Sequence, residues 1–191
     1  MSELKRMEID LSNFKLSVSC DARDSFFAGM WLETIADWFK KKSPKLSEGE
    51  KIPVGFWPAK LVREPSGFAI SELCPSSQQF HGGAEFCMRA YRHQITYCEF
   101  YDAVFDPVFA GLDCAVHDSV LNGEHLRGWR HLSKDGFSGW HFTAQGESHF
   151  RNLKRLPIYK LIETRPDLIK YFGLPIGSGV LSPSVVFEQP S

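Results

Sequence analysis

Cys114-Ala-Val-His-Asp-Ser-Val-Leu121, Leu126-Arg-Gly-Trp-Arg-His-Leu132, Ser138-Gly-Trp-His-Phe142 and Leu174-Pro-Ile-Gly-Ser-Gly179 punctuate the second half of this chain. Leu156 to Thr164 and Pro166 to Phe172 lie between the last two. Val116, Val120 and Leu121 precede an Asn122-Gly123 turn, and Trp129 and Leu132 follow it, so two short apolar runs around a turn dipeptide predict a hairpin. Ser138 to Phe142 adds a strand. Leu156, Tyr159, Leu161 and Ile162 then fall at helical spacing, and Pro166 breaks the pattern before Leu168, Ile169, Tyr171 and Phe172 resume it. Strands followed by helices predict an α+β module, with a small, mainly antiparallel sheet from about Leu112 to Phe142 packed on the helices of Leu156 to Phe172. Gly173 sits where a C′ residue ends a helix. Val180-Leu181 and Val185 to Phe187, broken by Pro183, predict a terminal edge strand.

Upstream of that module, Phe14, Leu16, Val18 and Cys20 alternate with polar residues and predict a strand with one buried side. Asp24 or Ser25 can cap the helix that follows. Its apolar face gathers Phe27, Met30, Trp31, Ile35, Trp38 and Phe39, and its last turn carries Lys40, Lys41 and Lys42 near the negative end of the dipole. Ser43 to Pro53 reads as a loop. Val54 to Val62 and Gly67 to Leu73 predict strands joined by a turn at Glu64 to Gly67, and Pro58 makes the first an edge strand or a late-starting one. Ala84 to Tyr101 contains no Gly or Pro, and Ala84, Met88, Tyr91, Ile95 and Cys98 share one helical face. A long, largely buried helix is the reading there, with a strand pair as the alternative. Asp106-Pro107 and Gly111 place a boundary between an N-terminal part, 1–110, and a C-terminal domain, 111–191.

With 191 residues, 43% of them hydrophobic and 14% aromatic, the chain can bury a sizeable core without staples. A formal net charge of -1 provides no global field to draw it onto nucleic acid or an anionic membrane, so a charged partner must meet a local patch. Met1 to Asp10 has no signal-peptide core, and no segment offers about 18 uninterrupted apolar residues for a membrane span. Five cysteines without a Cys-x-x-Cys spacing read as free, mostly buried thiols of a cytoplasmic protein.

Few residues are spaced for chemistry. None of the seven histidines is paired as His-x-x-x-His or joined to Cys at finger spacing. His131 and His141, in a possible hairpin register with Glu147 near, form the one cluster worth weighing as a metal site of a small hydrolase. Cys114 with His117 is a nucleophile and base only if the fold brings them together. Gly173 to Gly179 has three glycines but no Lys and no helix start, so it is neither a phosphate loop nor a dinucleotide fingerprint. No catalytic set and no cofactor follow from these residues.

Taken in order, Cys114, Gly123, Trp129-Arg130, Ser138-Gly139-Trp140 with Phe142, Pro157, Pro166-Asp167-Leu168-Ile169 and Leu174-Pro175 with Gly177-Ser178 resemble the immunity-protein-33-like domain of bacterial polymorphic toxin systems. The resemblance covers roughly the C-terminal two fifths. It implies a cytoplasmic, non-enzymatic binder that neutralises a cognate toxin or effector, often a nuclease, of a contact-dependent or secretion system such as type VI, and so protects the producing cell. Its expected partner is that protein, not nucleic acid or a membrane. Such a binder needs anchors and charges on a rigid scaffold, and loops are where these concentrate. Two stretches put acids beside large apolar groups: Asp102 to Asp106 with Tyr101 and Phe105, and Lys134 to Glu147 with Phe137 and Trp140. Asp102, Asp106, Asp135 and Glu147 are therefore the candidate acids for a basic toxin cleft, and Phe137 and Trp140 the candidate anchors.

Overall fold

The computed structural model describes residues 3–42, 47–53, 56–146, 152–181 and 184–187. Two compact units divide the chain, 1–92 and 93–191, and the division falls inside a continuous helix. Each unit is built on one mixed sheet, and the chain is α+β.

In the first unit, β1 (Leu4–Leu11) and β2 (Phe14–Asp21) form an antiparallel hairpin. A 3-10 turn at Ala22–Asp24, capped by the Asp21 carboxylate accepting from Arg23 N at 2.9 Å, leads into α1 (Ser25–Lys42). Asp24 is buried against Arg92, 2.8 Å away. β3 (Lys51–Ile52), β4 (Ala59–Glu64), β5 (Gly67–Leu73) and β6 (Phe80–Gly82) complete a sheet of order β1-β2-β5-β4-β3, with β6 also on β5 and the β2/β5 pair parallel. As Pro58 requires, β4 starts after it; Val54 and Gly55 of the expected longer strand lie outside the described residues. Leu16, Val18 and Cys20 of β2 are buried beneath Trp31, Ile35 and Phe39 of α1, whose Phe39 ring meets Phe14 edge-on at 6.1 Å. The aromatic stripe of α1 is thus mostly core, although Met30 is 44% exposed.

The helix expected over 84–101 is α2 (Glu85–Phe100). After it come β7 (Asp113–Val116), α3 (Asp118–Leu121), β8 (Leu126–Arg130), β9 (Phe137–Ala144), β10 (Lys154–Pro157), α4 (Ile158–Thr164), a 3-10 helix at Pro166–Gly173, β11 (Ser178–Leu181) and β12 (Ser184–Phe187). The second sheet has the order β10-β7-β9-β8-β11-β12, antiparallel except for β7 beside β9. No helix among the described residues is long and apolar enough to cross a membrane.

β3 falls within the expected 43–53 loop, and in the second unit four local expectations change. The 114–132 hairpin does not form, because β9 lies between β7 and β8. His117 accepts from Ser119 N through its side chain and turns 118–121 into helix, so the connection is a crossover rather than a tight turn. Gly128 of β8 fits β9 instead: a Cβ there would stand 2.6 Å from the Phe142 ring. The 156–164 helix begins only at Ile158, since residues before Pro157 extend along β7 and the Cys114 thiol donates to Leu156 O at 3.4 Å. Gly173 is no left-handed C′ residue; it closes the 3-10 helix and leaves room, as a Cβ would meet Gln94 Cβ at 2.8 Å and the Phe105 ring at 2.9 Å. The expected single terminal strand is two, of which only β12 lies at the edge.

Candidate functional site

One end of the second sheet gathers three loops around Arg130. Alternation along β8 turns Leu126, Gly128 and Arg130 inward, and Arg130 is 5% exposed. A buried guanidinium demands partners. Arg130 donates through Nη1 to Asp106 O at 2.5 Å and to Leu174 O, and its Nη2 lies 3.1 Å from the Asp106 carboxylate. Burial pushes its pKa down, and the Asp106 charge pushes back. Its own carbonyl accepts from Gly177 N at 2.8 Å. The 101–106 loop, the 174–177 turn and the end of β8 are therefore held by one side chain, and the β8–β9 turn at 131–136 projects from the same end. Asp113 N donates to Gly136 O at 2.9 Å and His131 N to Gly139 O at 2.9 Å, which fixes the root of that turn.

The candidate residues divide between surface and core. Asp102, in the left-handed region at φ 51°, and Asp135 are exposed at this end. Asp106 is half-exposed but engaged by Arg130, so its charge is already partly answered within the chain. Phe137 is half-buried at the start of β9, beneath the Arg155 guanidinium at 5.3 Å. Trp140 is not a surface anchor: it is fully buried, stacked on Phe142 at 5.1 Å and set edge-on to Phe172 at 6.0 Å, because its parity along β9 is that of the inner face. Glu147, like His149, lies outside the described residues; β9 occupies 137–144 between Asp135 and Glu147, so that stretch is not one loop.

The loops at this end and the adjoining end of α2 also carry exposed apolar side chains that are not among the candidate residues. Phe100 is 78% exposed, Val104 73%, Leu132 68% and Ile176 48%. Phe100 lies off the Ala84, Met88, Tyr91, Ile95, Cys98 face of α2, which is the signal that marked it as outward-facing. Tyr101 and Phe105 are half-buried: Tyr101 meets Tyr97 at 5.0 Å, and Phe105 lies against Gly173.

Possible catalytic pairings come apart. Cys114 is buried and its thiol is pushed up to about 12 by that burial, while His117 spends Nδ1 on Ser119. All five cysteines are free, and all but Cys74 are buried. The His131 and His141 rings do meet, at 5.2 Å between centroids, yet no group of three or more potential metal ligands occurs among the described residues.

The unit is thus defined as a sheet-and-helix scaffold that presents acids and large apolar groups on loops anchored by a buried arginine. The family model described as the Imm33-like domain matches residues 93–188, and the chain belongs to that immunity-protein family. This membership points to a non-enzymatic role. No curated protein and no solved structure matches.

Proposed function

We propose that the protein is an immunity protein that binds and neutralises a cognate bacterial toxin, gripping it with the Arg130 end of the second sheet. The observation that carries the reading is the meeting of three loops at Arg130 within the family domain, which, with the adjoining end of α2, carry exposed Phe100, Val104, Leu132 and Ile176 and the exposed acids Asp102 and Asp135. Exposed apolar groups of that size beside charges mark a protein-binding surface. Acids at its rim suit a basic cleft, the kind a nuclease toxin uses for phosphates, and inhibition there requires only occupation of the cleft. On this reading neutralisation takes place in the cytoplasm of the producing cell, without turnover by the inhibitor. A metal-dependent hydrolase built on His131 and His141 is the alternative, and one equivalent of tightly bound zinc or iron in the purified protein would favour it.

The test uses the product of a neighbouring toxin gene, with growth protection and affinity as readouts. Asp102→Lys combined with Asp135→Lys should weaken binding by about 2 kcal/mol or more and make the remaining affinity less sensitive to salt. Thermal stability should stay near the parent value, since exposed charges of this kind contribute about 1 kcal/mol or less. Unchanged affinity would move the site to another surface.

A further inference from the structure

The sheet face opposite Trp140 carries a strip of aromatic and cationic groups that the proposed site does not use. Cross-strand register sets Arg155 opposite Ala115, Ala115 opposite His141, and His141 opposite Trp129, so one face is followed step by step across β10, β7, β9 and β8. Along it the Arg155 guanidinium covers Phe137 at 5.3 Å, Phe137 meets His141 at 4.9 Å, and the Arg127 guanidinium lies over Trp129 at 4.3 Å. Arg127 and Arg155 are exposed, and Trp129, Phe137 and His141 are half-buried. Beside Trp129 a groove of about 270 Å³ opens, walled by Arg127, Gln145, Val180 and Leu181.

The charge on this strip is one-sided. Asp113, 3.4 Å from Arg155, answers one cation, whereas Arg127 has no ion pair among the described residues. A guanidinium held over an indole can still offer N–H groups to a carboxylate, and the contact removes part of the rotamer freedom that binding would otherwise have to freeze. We infer that this face docks an acidic protein segment whose carboxylate meets Arg127 and whose adjoining apolar side chain enters the groove by Trp129. That the segment belongs to the toxin rests on the function proposed above; the chemistry of the surface does not. A nucleic acid fits less well, because a phosphate backbone needs a track of several cations and, among the described residues, this strip offers two arginines, one of them paired with Asp113.

The test titrates the full chain with the acetylated peptide Glu-Glu-Leu-Glu-Glu, its Lys-for-Glu counterpart and decathymidylate, following the indole and guanidinium resonances of Trp129 and Arg127. The acidic peptide should give saturable shifts, the basic one none, and Arg127→Glu should raise the dissociation constant by about tenfold or more. Arg127→Lys, which keeps charge but not the bidentate edge, should fall between. Absence of saturable shifts, indifference to Arg127→Glu, or tighter binding of decathymidylate would each overturn the inference. Because no toxin enters this titration, its failure is separate from failure of the neutralisation assay.

Discussion

Glu72 shows what a single buried group does to this fold. It is 6% exposed at the end of β5, where its carboxylate accepts from Phe86 N at 2.8 Å and Cys87 N at 2.7 Å in the first turn of α2. Burial raises its pKa to about 7, against the two helix N–H bonds that favour the charge. With the folded value above the unfolded one, the native state holds the extra proton between about pH 4.5 and 7. Stability from this group is therefore fully present below that window and is lost as pH rises through it, by about 3 kcal/mol in all. Glu72→Gln keeps an acceptor for the helix and should flatten that slope; urea unfolding at pH 5, 6, 7 and 8 measures it, and an unchanged slope refutes the assignment. Arg130 makes the complementary case, a buried cation that stitches loops. Arg130→Ala leaves the Asp106 and Leu174 carbonyls without their donor and should cost about 3 kcal/mol, with Arg130→Lys recovering only part because it loses the fork. Equal stability of Ala and Lys variants in denaturant would show that the fork is immaterial.

At the scale of elements, β9 shows how one strand sets the site. Gly139 adopts φ +86°, and a Cβ there would lie 2.0 Å from His131 O, so the bulged start of β9 and the base of the 131–136 turn depend on that missing atom. Gly139→Ala should destabilise the chain by about 2 kcal/mol or more, read from thermal unfolding, and should lower toxin affinity by displacing Asp135. A variant with parental stability would place the bulge's origin elsewhere. The legible elements are those whose signal is local. α1 and α2 carry 3.6-residue apolar periodicity, β2 alternates, and the turn at 64–67 joins β4 to β5 as Pro65-Ser66-Gly67 suggests. Elements decided by distant partners were not legible. β1 carries only a short alternation, Met7, Ile9 and Leu11 around Glu8 and Asp10, half-buried on its apolar side and masked by the charges of Lys5, Arg6, Glu8 and Asp10, and its full length as a strand comes from β2 pairing all along it. The insertion of β9 between β7 and β8 follows from a complementarity, Gly128 against Phe142, that neither local run displays. For the site, acids beside apolar groups drew attention to 101–106 and to Asp135, but the direction of each aromatic was lost. Trp140 is buried and Tyr101 and Phe105 are half-buried, while Phe100 and Val104 are exposed, because contacts with Phe172, Tyr97 and Gly173 decide between neighbours of equal hydrophobicity.

Over the whole molecule, the question is which length of chain the proposed immunity function needs. Gly and Pro around 106–111 suggest a domain starting at 111, yet residues before that point are built into the second core. Gln94 is fully buried and donates to Ile169 O at 3.0 Å, the Cys98 thiol reaches Gly173 O at 3.3 Å, and Tyr97 packs edge-on against Tyr171 at 5.3 Å. Asp106 and Val108 add backbone bonds to Gly173 and Phe172. A fragment of residues 111–191 would expose the 3-10 helix where these groups lay. Each uncovered aromatic or aliphatic side chain costs about 1.5 to 3 kcal/mol, which two or three such losses turn into most of the stability of a small domain. A fragment of 85–191, keeping α2 whole, retains all of them together with Phe100, Asp102 and Val104. It should unfold cooperatively in urea and bind the toxin, whereas 111–191 should show a broad, early transition and no binding. If 111–191 unfolded as sharply and bound as tightly, the recognition surface would lie entirely beyond the 101–106 loop, and Asp135, Leu132 and the β8–β9 turn would carry it alone.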